Sequence, residues 1–151
     1  MLQVKGDVPQ VEDLMNDPNF DINEWFGYVY MVVHVPTGKM YIGKKQFFNT
    51  QNKKLGKKEL LALPTSRGRK PTKKKVVTES NWREYYGSSE EVKKLPKSEL
   101  KRYILRLCKT SKQLTYFEVK YLFQYDVLFD DRFFNDNIEG RYFRKDLLES
   151  E

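Results

Sequence analysis

Two β-prone runs that carry tyrosines, Tyr28-Val29-Tyr30 and Tyr41-Ile42-Gly43, flank the turn signal Pro36-Thr37-Gly38-Lys39, and no other feature restricts the fold as strongly. Aromatic and β-branched runs joined by a glycine-bearing turn pair as antiparallel hairpins. Residues 25–35 and 40–48 therefore read as two paired strands. The pairing sets two phenols side by side, with a glycine at the end of the second strand, which is the arrangement of a site as much as of a core.

A chain of 151 residues supports one domain with a real core and some appendages. Its charge of +7 is a local device. Residues 53–75 hold ten bases (Lys53, Lys54, Lys57, Lys58, Arg67, Arg69, Lys70, Lys73, Lys74, Lys75) against one acid, Glu59, so this stretch is +9 and the remainder −2. Residues 49–80 show no sustained periodicity and contain Gly56, Pro64, Gly68 and Pro71. They read as a flexible loop, interrupted by a helical piece at 57–63, that settles on a polyanion. Lysines on such a loop neutralise nucleic-acid phosphates, giving salt-dependent affinity with little sequence information.

One histidine and one cysteine exclude zinc fingers and multi-histidine metal centres, and weaken any triad. His34 alternates with Val32 on the first strand and reads as structural; Cys108, in an apolar run, reads as a buried reduced thiol. The first 18 residues lack an apolar run of signal-peptide length, and nothing approaches the roughly 20 apolar residues of a membrane span. The expected location is the cytoplasm, the host's if the chain is phage-encoded.

Further along, Val11, Leu14 and Met15 are spaced for a short helix, residues 101–108 for a third strand, and residues 87–90 for a turn into a capped helical turn. Residues 110–130 hold the best helix, opening on the capping pattern Thr110-x-x-Gln113 and free of Gly and Pro. Leu114, Tyr121, Leu122 and Tyr125 stand at i−4, i+3, i+4 and i+7 from Glu118, which places a carboxylate inside the buried stripe. Burying a carboxylate costs several kcal/mol, so a cation, a metal ion or a strong donor is expected opposite.

The hairpin tyrosines, the segment Trp82-Arg83-Glu84-Tyr85-Tyr86-Gly87, the helical Glu118 and the late Phe134-Asn135-Asp136-Asn137-Ile138 together resemble the GIY-YIG endonucleases over residues 26–138, most closely the phage and homing types. The resemblance implies an α+β fold: a small antiparallel three-stranded sheet flanked by helices, here with a long basic insertion after the second strand. It implies an arm or short helix at 1–24, a nuclease domain at 25–140 with its insertion at 49–80, and a tail at 141–151. It implies that Tyr30 and Tyr41 are the motif tyrosines, that Gly43 lets substrate come close, and that Glu118 holds Mg²⁺ or Mn²⁺. The family arginine falls on Arg83, with Lys44 and Lys45 competing for its phosphate-binding role, and the late asparagine on Asn135 or Asn137. Tyr28 stands where the family has its first-motif glycine.

The implied chemistry is metal-assisted hydrolysis of DNA, with Tyr30 positioning or deprotonating water and Tyr41 orienting the phosphate. Lys53, Lys54, Arg67, Arg69, Lys70, Lys73, Lys74 and Lys75 are the expected backbone contacts. A short charged tail after the core implies relaxed specificity or a targeting partner, and double-strand cleavage by one site implies a second copy or sequential nicking. Two alternatives stand beside this: a non-catalytic nucleic-acid-binding or adaptor protein on the same fold, and a PD-(D/E)xK nuclease, for which Glu118-Val119-Lys120 would lie on a strand.

Overall fold

The computed structural model describes residues 8–63, 68 and 71–148. They group into two compact units, one comprising the residues up to Phe47 and from Asn81 onward, the other Phe48–Ser80. In the first unit the order is α1 (Val11–Asn16), β1 (Gly27–His34) and β2 (Lys39–Gln46); the second unit contributes β3 (Phe48–Lys54), α2 (Lys57–Leu61) and β4 (Lys73–Glu79). The first unit resumes with α3 (Glu90–Lys93), β5 (Leu100–Cys108), α4 (Ser111–Gln124), β6 (Asn137–Ile138), β7 (Tyr142–Phe143) and α5 (Arg144–Leu148). Its fold is α+β, with an antiparallel three-stranded sheet of order β2-β1-β5 and helices around it, as the resemblance implied.

The expected hairpin forms, with Tyr30 opposite Gly43 and Tyr28 opposite Lys45. Directly opposed residues share a face. One face carries Val29, Met31, Met40 and Ile42, which close a core with Leu114 and Leu122 of α4. The other carries Tyr28, Tyr30, Tyr41, Gly43 and Lys45, with Trp82 and Phe47 packed on it (Tyr28–Phe47 ring centroids 5.2 Å apart). β1 is buried along almost its whole length because both faces are covered.

Both sheet edges are managed. Residues 9–10 pair with β5, Pro9 accepting from the Ile104 amide at 2.8 Å. On the β2 side, Met40 exchanges backbone hydrogen bonds with Arg132 and Phe134, each 2.7 Å. His34 is structural: its Nδ1 meets Thr37 Oγ1 at 2.7 Å and its Nε2 meets Glu99 Oε1 at 2.9 Å.

α4 begins where the capping pattern places it, Thr110 Oγ1 accepting from the Gln113 amide at 3.1 Å while the Gln113 side chain accepts from Lys109 N. It ends six residues before the expected 130. Asp126, at φ 52°, takes the left-handed position, and the Val127 amide returns to the Leu122 carbonyl. This is the Schellman ending that glycine usually signals, here made by aspartate and therefore invisible to a search for glycine. Because Glu118-Val119-Lys120 lies inside α4, the strand that a PD-(D/E)xK nuclease needs is absent there.

In the second unit the expected flexible loop is instead a ribbon: β3 and β4 pair antiparallel from Phe48↔Glu79 to Lys54↔Lys73. Thr50, Val76, Val77 and Thr78 suit strands, but nearly all of both faces is exposed, so no apolar alternation announces them. The helical piece is present as α2. Arg67, Arg69 and Lys70 lie outside the described residues. No described helix is long and apolar enough to cross a membrane.

Candidate active site

The site is built around β2 at Gly43. A methyl group on Gly43 would collide with the Tyr30 hydroxyl, and one on Gly87 (φ 118°) would come within 3.0 Å of that hydroxyl and 3.2 Å of the Tyr41 ring. Two glycines thus let two backbone segments close over Tyr30, which is 2% exposed. Its ring lies 6.0 Å from Tyr85, edge-on, and 6.3 Å from Tyr41. The Tyr41 hydroxyl stands 3.1 Å from Ser88 Oγ.

Burial holds the Tyr30 phenol well above its ordinary range, reinforced by Tyr41 and Tyr85. Tyr41 is raised too, by burial first, against its hydrogen bond with Ser88, with Tyr85, Glu118 and Asp136 adding to the rise. Burial thus keeps both phenols neutral donors at neutral pH, which favours positioning water over deprotonating it.

Glu118 rises from the apolar stripe of α4 to the opposite side of β2. Its side chain is 14% exposed, with one oxygen 4.0 Å from Lys44 Nζ. Lys44 also donates to Thr115 Oγ1 at 2.9 Å. Burial pushes the Glu118 carboxyl up to about 7; Lys44 opposes the shift, and the hydrogen-bonded Glu139 adds to it. Glu139 sits at φ 57° in a turn that Asn137 Oδ1 closes onto the Gly140 amide at 3.0 Å. A glutamate in the left-handed region is uncommon. No motif or spacing in the sequence singled out Glu139, since the turn had to form before its carboxylate met that of Glu118.

Lys45 stands on the tyrosine face, Nζ 4.1 Å from the Tyr85 ring centre, and burial lowers its ammonium from the ordinary range. Lys44 and Lys45, adjacent in sequence, thus serve the two sides of one strand. Arg83 is placed over the face of Trp82, 4.6 Å from the ring centre. Asn135, expected at the substrate, is turned inward: 5% exposed, it accepts from the Ile42 amide at 3.0 Å and donates to the Ile42 carbonyl at 2.9 Å. It acts as one more rung on the β2 edge. Lys53, Lys54, Lys73, Lys74 and Lys75 all lie on the β3–β4 ribbon of the second unit.

Two arginines, Arg102 buried and Arg144 half-buried, escaped sequence reading. Arg102 donates to the carbonyls of Trp82 (3.2 Å) and Tyr85 (3.0 Å) and to Glu12 (2.6 Å), fixing the segment that carries Tyr85 and Gly87. Arg144 gathers the carbonyls of Val127, Asp130, Phe133 and Asn135 with one nitrogen. Each reads as an ordinary surface cation until the chain is folded.

A family model described as "Putative endonuclease segE, GIY-YIG domain" matches residues 12–138, which is most of the chain. No curated protein and no solved structure matches it.

Proposed function

Because the chain belongs to the GIY-YIG endonuclease family, we propose that it hydrolyses DNA phosphodiester bonds at the β2 edge with a divalent cation, Mg²⁺ or Mn²⁺. The carrying observation is Glu118, a nearly buried carboxylate on the apolar stripe of α4 that meets a second carboxylate, Glu139. Two carboxylates in contact repel unless a proton or a cation joins them, and Lys44 at 4.0 Å offsets only part of that. The donors are oxygens, which suits a hard cation. Among the described residues no three His, Cys, Asp or Glu side chains gather, so Glu118 and Glu139 would hold the ion together with water and substrate oxygens. A cation held there would supply Lewis-acid polarisation of the scissile phosphate and charge stabilisation for the leaving oxygen.

The chain's own groups supply the rest. Lys44 and Lys45 neutralise the phosphate from the two sides of β2. Tyr41, kept protonated by burial, donates a hydrogen bond that orients the phosphate or the attacking water. Tyr30 acts as the spacer between Gly43 and Gly87, and Arg83 binds the DNA backbone from its Trp82 platform. The phage or homing type is proposed on the motif resemblance, and a cytoplasmic setting on the single cysteine, which leaves no internal disulfide.

The test is nicking or linearisation of supercoiled plasmid at low salt with Mg²⁺. Wild type is expected to cut, chelator to stop it, and Glu118→Ala to lose about 100-fold or more. A nicked product that later becomes linear would favour sequential cutting over a second copy. The Lys44–Glu118 contact, with Tyr28 at the glycine position, favours one competing reading: a binding module that has lost cleavage. That reading prevails if neither protein cuts while both shift DNA equally.

A further inference from the structure

The ribbon of the second unit is built against its own charge. In register, Lys53 opposes Lys74, Lys54 opposes Lys73, and Asn52 opposes Lys75. Like charges directly across a strand pair destabilise it. Glu59 of α2 answers only one of them, Lys74, at 2.7 Å. A two-stranded ribbon without a buried apolar face is marginal in water, and here Val77 is 55% exposed. The unit therefore lacks the features of a small core and has those of a cationic blade.

Its two faces differ. Lys74 shares a face with Lys53, Gln51 and Val76, and is tied to α2. The opposite face carries Thr50, Asn52 and Lys54 from β3, and Lys73, Lys75 and Val77 from β4. All six are exposed, and among the described residues none of these lysines meets a carboxylate. Two strands about 4.8 Å apart fit a B-DNA major groove about 12 Å wide. Seven residues at about 3.3 Å each give a ribbon about 23 Å long.

We propose that the Thr50–Asn52–Lys54 and Lys73–Lys75–Val77 face enters the DNA major groove and reads a short base sequence. Asn52 has the paired amide donor and acceptor that match N6 and N7 of adenine. Lys75, directly opposite, matches O6 and N7 of guanine, and the methyl groups of Thr50 and Val77 suit the thymine methyl. Lys54 and Lys73, at the end of the ribbon, hold the flanking phosphates. The inference rests on DNA as the substrate, and it moves site choice, which the charge run alone would leave unspecific, onto four side chains.

The test is selection from random-sequence duplex DNA by the full chain in chelator, so that cleavage is not needed. Wild type is expected to enrich a short motif. Asn52→Ala should lose preference at one position, about 5- to 100-fold, with the salt dependence unchanged. Thr50→Ser removes the methyl group at a second exposed site and should lower the preference at a neighbouring position by a smaller factor. Lys54→Ala with Lys73→Ala should instead weaken all sequences alike and lower the slope of log K against log salt by about 2. No motif with wild type, an unchanged motif with Asn52→Ala, or equal binding of duplex RNA of the same sequence overturns the proposal, since the A-form major groove does not admit the ribbon. A chain that selects a motif yet never cuts plasmid with Mg²⁺ ends the nuclease reading and leaves this one standing. A chain that cuts but selects nothing does the reverse.

Discussion

At Gly43 the difference between hydrogen and methyl decides whether β2 can lie against Tyr30, since a methyl group there would overlap the phenol's hydroxyl and its ring carbons. Gly43→Ala is expected to cost about 1–3 kcal/mol in urea unfolding and to abolish cleavage. Pairing it with Tyr30→Phe removes the nearest clash, so the double variant should recover part of the lost stability; strict additivity of the two losses would refute the contact. Glu118 makes a second residue-scale prediction, for metal-free protein. Its carboxyl is raised by burial and Glu139 against Lys44, to about 7. A raised acid binds its proton more tightly folded than unfolded, so its contribution is complete below the unfolded value near pH 4.5 and fades as pH rises through about 7. Stability measured in chelator should fall between pH 5 and pH 8 by on the order of 2–3 kcal/mol, and Glu118→Gln should flatten that slope.

At the scale of elements, the β2 edge depends on one amide. Asn135 occupies the place of a missing strand, and Asn135→Ala leaves the Ile42 amide and carbonyl unpaired in a buried setting. A loss of about 2–4 kcal/mol is expected, with faster hydrogen exchange at Ile42; unchanged exchange there would show that water replaces the side chain without penalty. The elements themselves were unevenly legible. β1, β2 and α4 announce themselves because each has one face committed to a core, which imposes period 2 or 3.6 on the apolar residues. β3 and β4 do not, because neither face is committed. The end of α4 was hidden for a local reason, Asp126 adopting a backbone conformation that composition assigns to glycine.

At the scale of the whole molecule, Arg102 ties α1, β5 and the segment bearing Tyr85 and Gly87 into one body through Glu12 and two carbonyls. Arg102→Met should cost about 2–3 kcal/mol, since it removes the donor to two carbonyls and the partner of the half-exposed Glu12. It should also reduce cleavage at temperatures where the variant is still folded, because Gly87 no longer holds Tyr30 and Tyr41. Full activity in a folded Arg102→Met chain would show that the segment is positioned by packing alone. What the sequence determined by itself is the hairpin with its two tyrosines and Gly43, the third strand, the start of α4 and the placing of Glu118 on its apolar stripe. All of these follow from local periodicity and from residues close in the chain. Tertiary structure alone decided that Glu139 meets Glu118, that Lys44 reaches Glu118 while Lys45 lies over Tyr85, and that Asn135 turns inward. Those contacts join residues far apart in sequence, and each is chosen by what burial leaves unpaired, a quantity that does not exist until the chain has closed.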